Sequence, residues 1–332
     1  DVIYATHTGG AIPINTASGL EATTTIGNGA AEDTKIVFDG NAQDFHIGLD
    51  DSADDLVIGV GSALGTTTAI SITDGRAVTI GATGTASTLA GIPFFSDTTN
   101  GSIYTHDVSG TDSTAEGNVA YGLSSLDAIT TGDYNTSIGS QALTANTTGH
   151  SNVALGQAAL LGNTEGIENV ALGKSSLLAN TTGDYNIAIG SRTNDLADTE
   201  NHNLAIGYEA MTGAVAGGEY NIAIGNYSLD ALTSGDENTV VGYNAGSAIT
   251  EGNYNVGVGS NALYDVTTGD ENTAVGYLAG SNITSGNTNT CIGEKAGLSL
   301  TTGYMNTFVG RRAGVTATEG NQNTAVGTYA MY

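Results

Sequence analysis

The sequence predicts an all-β chain, a parallel β-roll or β-solenoid of thirteen coils preceded by a small β domain. Three observations carry this. One 17-residue phrase recurs thirteen times between Asn118 and Gly327, each copy opening with an Asn four residues before a Gly; a short fixed period of this kind marks stacked coils. The apolar runs inside the phrase are four to five residues long, β-branched and bounded by Asn and Gly, which suits short strands between turns. Seventeen residues cannot hold a helix pair with its turns. A composition of 49 Gly, 2 Pro, no Trp and 12% charged residues also suits a narrow solenoid better than a compact enzyme domain.

With the Asn of each coil as position 1, the columns read as follows. Position 1 includes Asn135, Asn152, Asn186 and Asn221, and position 5 includes Gly139, Gly190 and Gly225; only the step from Asn203 to Asn221 carries an extra residue. Position 4 is aliphatic in twelve of thirteen coils, from Ile138 to Val326, with Tyr121 in the first, and is expected to be core. Position 8 is always Ala, Ser or Thr, from Ser125 to Ala330, which implies another backbone close by. The coil is expected to be two short strands and two turns, and thirteen of them stack to roughly 60 Å. Asn suits such a stack because its amide can bond the next Asn along the ladder while its backbone accepts a turn. Position 15 is Gly in eleven of twelve coils and is expected to supply a positive φ.

Residues 1–81 lack the period. Alternating runs at 35–38, 45–49, 56–58, 69–72 and 77–80, joined by Asp39-Gly40 and Asp74-Gly75, predict an all-β meander or small sandwich. Residues 82–117 are rich in Gly, Ser, Thr and Asp and read as an irregular neck, leaving 118–332 as the solenoid. No signal peptide or stretch of transmembrane length is present. The chain starts at Asp1 without Met and stops within its last coil at Met331-Tyr332, so it is expected to be an internal piece of a longer protein or a processed chain.

A net charge of −27 with seven Lys and Arg argues against nucleic acid and anionic membrane as partners. In the coils the cations Lys174, Arg192, Lys295, Arg311 and Arg312 all fall at positions 6 or 7, whereas many carboxylates sit one or two places before the next Asn. Columns of like charge repel unless screened, so high salt or divalent cations are expected to stabilise the rod. The single Cys291 stands where eight other coils have Ala and reads as a buried small residue.

The phrases Asn186-Ile-Ala-Ile-Gly190, Asn203-Leu-Ala-Ile-Gly207 and Asn221-Ile-Ala-Ile-Gly225 resemble the head repeats of trimeric autotransporter adhesins of the YadA type. The longer form over 169–190, with Thr-Thr-Gly-Asp-Tyr between copies, and the stretch 32–45 resemble bacteriophage tail fibres of the marine type. The resemblance implies a left-handed β-roll, three chains around a shared axis, and a virion or extracellular location. On that arrangement the Ala at position 3 (Ala154, Ala171, Ala188, Ala205, Ala223) is expected to face outward and be covered between subunits. The coil departs from the adhesin repeat by three extra residues, which leaves its cross-section open.

No catalytic site or cofactor is expected. His residues are scattered without a Ser or Cys partner, no Gly-rich turn is followed by a phosphate-loop Lys, and no carboxylate pair recurs as a polysaccharide depolymerase would need. Asp50, Asp51, Asp54 and Asp55 offer oxygens enough for Ca²⁺, but the spacing matches no EF-hand loop, and a solvated loop is the other reading. For binding, the candidates are Tyr185 and Tyr220, which precede the Asn, and Arg192, His202 and Tyr208. The last three lie in or beside the coil that loses its apolar residue at Asn194 and its turn Gly at Glu200. Aromatic faces beside amides and carboxylates suit sugars, although rings at turns also serve as surface filler. The expected function is a structural and receptor-binding segment of a trimeric phage tail fibre that contacts a host envelope glycan and other fibre proteins. The alternatives are a bacterial trimeric surface adhesin or filament protein and, third, a monomeric ice-binding solenoid.

Overall fold

The computed structural model describes residues 114–213 and 217–332 and, before them, eight strand segments. Two compact units divide the chain between Thr88 and Leu89. In the first, β1 (Thr34–Phe38), β2 (Phe45–Asp50), β3 (Asp55–Val60), β4 (Thr68–Ile72) and β5 (Val78–Ile80) form an antiparallel meander in chain order. Period-2 alternation sets its faces. His46 and Val57 are buried, while the cross-strand pairs Ile47–Ile58 and Leu49–Leu56 are exposed.

The segment 82–117, expected to be irregular, contributes β6 (Ser87–Leu89), β7 (Ile92–Asp97) and β8 (Ser102–Tyr104). β7 and β8 pair antiparallel, and β8 then lies parallel to β9 (Val119–Tyr121), the strand of the first coil. Tyr104 is almost fully buried against Ala115, Ala120 and Leu126. β8 therefore covers an edge that a bare first coil would leave open to another chain.

From β9 to β21 (Thr324–Val326) each coil adds one three-residue strand at positions 2–4, in parallel and in register with the next. The expected second strand does not form. Its side of the coil is bonded from coil to coil, as in Leu126 N–H to Ala142 O (3.0 Å) and Thr130 N–H to Thr147 O (3.0 Å). Positions 7 and 9 are left-handed there, for example Gln141 (φ 61°) and Leu143 (φ 49°), and an alternating left-handed backbone cannot be a strand.

The Asn column lies inside the turn. Asn135 receives the pattern and passes it on: its N–H donates to Asn118 Oδ1 (2.8 Å), and its amide Nδ2 donates to the same oxygen (3.1 Å) and to Gly149 O (2.9 Å). Its own Oδ1 then accepts the N–H and Nδ2 of Asn152. The Gly column at position 5 has φ near +138°, and a Cβ on Gly139 would lie 2.4 Å from the next coil's Gly156 O.

Three expectations about the cross-section are corrected. Position 4 is not core and position 3 does not face outward. Ala154, Ala171, Ala188, Ala205 and Ala223 are fully buried within the single chain, while position 4 is exposed at Tyr121, Ile138, Leu155, Val258, Val275, Ile292 and Val326 and half-exposed in the other coils. A three-residue strand can point only its middle residue inward, and the interior is shallow, because position 3 packs directly against position 9. The volumes across that gap compensate: a Cβ on Gly314 would lie 2.6 Å from the Phe308 ring, and one on Gly297 2.4 Å from Cys291 Sγ. Most coils with Ala or Ser at position 3 carry Leu or Met at position 9. The third correction concerns position 15, whose glycines in the seventeen-residue coils do not have positive φ. A Cβ on Gly269 would lie 2.4 Å from Gly286 O, so it is close approach that requires Gly, and the left-handed residue is position 17, as in Tyr254 (φ 57°).

Candidate binding surface

The apolar strand face is flanked by two ridges, and the five residues singled out from the sequence divide between them. On the position-17 ridge, Tyr185, His202 and Tyr220 come from three successive coils and stack. The His202 ring lies 4.9 Å from each tyrosine, with interplanar angles of 4° and 7°. The separation is the strand spacing itself, so the coil register stacks the rings. Both faces of His202 are thereby covered, and what the stack offers to a ligand is ring edges, hydroxyls and the two outer faces. Beneath it runs a polar ladder: Asn201 Oδ1 accepts Asp184 N–H (2.7 Å), Asn201 Nδ2 donates to Glu219 Oε1 (2.8 Å), and Asp236 Oδ1 accepts Glu219 N–H (2.8 Å).

Arg192 and Tyr208 lie on the other ridge, beyond the Gly turn. Arg192 bridges two carboxylates, donating from Nη1 to Glu209 Oε1 (2.6 Å) one coil on and from Nε to Asp195 Oδ2 (3.3 Å). Tyr208 donates its N–H to Asn226 Oδ1 (2.9 Å) and starts an edge-to-face run with Tyr227 (5.6 Å) and Tyr243. The Glu209 carboxylate, hydrogen-bonded to the Tyr208 hydroxyl, holds that phenol above its usual range. Burial raises Asp195 against the opposing pull of Arg192. Burial raises Asp230 also, against its hydrogen bond from Ser247. Glu209 and Tyr227 were not singled out from the sequence, although each stands in a column already marked: Glu209 is Arg192 plus one period, and Tyr227 shares position 7 with both.

The irregular coil also alters the interior. Apolar core residues fall into two groups, one ending at Ala188 and one beginning at Ala205. Between them Thr193, Asn194 and Asp195 are buried. Asn194 takes the place of the column's Leu, and its Oδ1 and Nδ2 have no hydrogen-bond partner. Glu200 replaces the position-15 Gly and points its carboxylate where the next coil's turn would lie. Its Oε1 accepts Gly217 N–H (2.9 Å) and its Oε2 accepts Asp198 N–H (2.8 Å). Gly217 belongs to the following coil, the one that carries the extra residue, so this hydrogen bond joins the two departures.

Cys291 is buried, and burial pushes its thiol up to about 12, far from the range of a reactive thiolate. Among the described residues no three His, Cys, Asp or Glu side chains are placed to hold a metal. Asp51 and Asp54, and the side chains of Asp50 and Asp55, lie outside the described residues. No helix among the described residues is long and apolar enough to cross a membrane. Fold and surface together define a β-solenoid repeat protein with a 17-residue coil. No family model, curated protein or solved structure matches the chain.

Proposed function

We propose that the chain is a structural and receptor-binding segment of a trimeric fibre, of the kind found in phage tails, that attaches to a bacterial surface. The observation that carries this reading is the apolar face built from positions 2 and 4. It runs from Val119 and Tyr121 through Ile187, Ile189, Ile222 and Ile224 to Val326, exposed or half-exposed in the single chain along all thirteen strands, with Thr in place of the apolar residue at position 2 in six of them, Thr136, Thr239, Thr273, Thr290, Thr307 and Thr324. Twelve steps at the strand spacing and the width of a three-residue strand give a strip of roughly 600 Å². That is at the upper end of what a monomer leaves to solvent, and identical flat strips are self-complementary around a shared axis. With this face turned inward, both ridges stay outside and present a periodic polar and aromatic surface to a glycan.

Light scattering on the 332-residue chain tests the assembly. The expected mass is three times the 33.2 kDa of the chain, and Ile189→Lys with Ile224→Lys is expected to reduce it to one. A monomeric wild type overturns the trimeric reading. Binding of the trimer to host cells, competed by purified envelope glycan, tests the attachment role.

A further inference from the structure

The chain carries seven cations in all, and five of them lie in the coils. Three of those five, Lys295, Arg311 and Arg312, occupy positions 6 and 7 of two adjacent coils. The guanidinium carbons of Arg311 and Arg312 lie 5.4 Å and 5.6 Å from the Tyr329 ring centre, and both groups donate to its hydroxyl (2.8 Å and 3.3 Å). Lys295 Nζ lies 5.9 Å from the Tyr277 ring centre. Only Arg311 has a carboxylate partner within ion-pair distance among the described residues, Glu294 at 2.9 Å. Glu294 is held below the usual carboxylate range by the Arg311 hydrogen bond first and by the charges of Arg312 and Lys295 as well, which places all three cations around it. The cluster is thus locally positive by two charges on a chain of net charge −27.

We propose that Lys295, Arg311 and Arg312, with the Tyr277 and Tyr329 rings, form a binding site for a saccharide bearing an anionic group: a carboxylate, sulfate or phosphate on the sugar. The proposal rests on the receptor-binding reading for its partner class and does not require the trimer. Several physical arguments select this ligand. Guanidinium pairs present forked donors that match oxyanion geometry. Tyr277 and Tyr329 stay about half exposed, and such rings offer the C–H faces of a sugar an apolar contact beside the charge. The screening length at physiological salt is about 8 Å, so the local sign of charge decides binding at contact while the distant carboxylates are damped. A duplex nucleic acid or a membrane would meet the surrounding acidic surface as well as the patch, whereas an oligosaccharide meets only the patch.

The full chain should be titrated by calorimetry with tetragalacturonate, a heparin-derived tetrasaccharide, glucose 6-phosphate, inorganic phosphate and neutral maltotetraose. At least one anionic saccharide is expected to bind tenfold or more tightly than maltotetraose, and more weakly as salt rises. Lys295→Gln with Arg312→Gln should weaken it by at least tenfold, and Lys174→Gln, seven coils from the nearer of them, should leave it unchanged. Gln suits the backbone, since Gln141 already occupies position 7 with φ 61°, and an unchanged urea midpoint checks the fold of the variant. Binding of no anionic saccharide at millimolar concentration, equal binding of maltotetraose, or indifference to the double substitution overturns the proposal. Inorganic phosphate binding as tightly as every sugar would overturn its saccharide part. A monomeric mass with intact saccharide binding would remove the fibre assembly and leave this site standing.

Discussion

Replacing Asn238 by Ala tests whether the buried Asn ladder holds the coils together. Asn238 is fully buried. Its Oδ1 accepts Asn255 N–H (3.0 Å) and Asn255 Nδ2 (3.1 Å), and its Nδ2 donates to Asn221 Oδ1 (3.1 Å) and Gly252 O (2.8 Å). Removing the side chain does not orphan all of these partners. Asn255 Nδ2 keeps Gly269 O, and Asn221 Oδ1 keeps Asn238 N–H. Two buried main-chain groups, Asn255 N–H and Gly252 O, lose their partner outright. At about 1–3 kcal/mol for each unsatisfied buried group, the expected loss is roughly 2–6 kcal/mol. Urea denaturation measures the total, and native-state hydrogen exchange at the Asn255 amide locates it, because a solenoid opens coil by coil and need not unfold in one step. Asn323→Ala is the control: its Nδ2 donates to Asn306 Oδ1 (3.0 Å) in a partly buried site, and its loss should cost less than about 1 kcal/mol. If Asn238→Ala and Asn323→Ala proved equally mild, the ladder would be a consequence of the stacking and not a cause of it.

Two glycines separate close approach from mere absence of a side chain. Gly257→Ala fills the position-3 column against side chains no nearer than 3.4 Å and should stabilise by about 0.4–1 kcal/mol, whereas Gly269→Ala meets Gly286 O at 2.4 Å and should lower the urea midpoint sharply; the reverse order would refute the packing. Asp230 has its folded pKa raised by burial. The unfolded chain therefore ionises first as pH rises from about 3.8, and the group costs stability above that window while making no difference below it. Asp230→Asn retains an acceptor for Ser247 Oγ, so it should raise the urea midpoint at pH 7, with the gain vanishing by pH 3; a gain independent of pH would exclude this cause. In the position-16 column, Asp184, Asp236 and Asp270 each accept a backbone N–H from the preceding coil and are separated in part by Asn201, Asn253 and Asn287. Melting temperature is still expected to rise between low and about 0.5 M salt, and melts that do not move would show that the hydrogen bonds and interleaved amides already relieve the repulsion.

The period, the parallel stacking and the Asn column were legible in the sequence because each expresses one requirement repeated thirteen times. A buried amide must donate and accept along the axis, and Asn at position 1 does both. The inward and outward faces were not legible from hydrophobicity alone. Ile and Val at positions 2 and 4 are larger and more apolar than Ala at position 3, yet the shallow interior admits the small residue. The signal was present as compensation between columns, Phe308 with Gly314 and Cys291 with Gly297, which becomes interpretable once positions 3 and 9 are known to face each other. The left-handed residues at positions 7, 9 and 17 were hidden for another reason. Leu, Tyr, Glu and Arg fill them, residues for which a positive φ costs about 1–2 kcal/mol each, and only the coil-to-coil bonds made in that conformation offset it.

The same logic governs the surface. Tyr185, His202 and Tyr220 share one column, so register alone was enough to bring them together, whereas Arg192 and Tyr208, nearer to His202 in the chain, fall on the opposite ridge. Sequence proximity misleads in a solenoid, and proximity modulo the period does not. By that measure Lys295 and Arg312 are neighbours, seventeen residues apart and both at position 7, with Tyr329 next in the same column. A regular coil fixes the scaffold and makes each column nearly interchangeable along its length. On the proposed receptor-binding reading, specificity then resides where a column departs from its neighbours, in the polar coil around Asn194 and Glu200 and in the cationic pair of coils around Lys295 and Arg312.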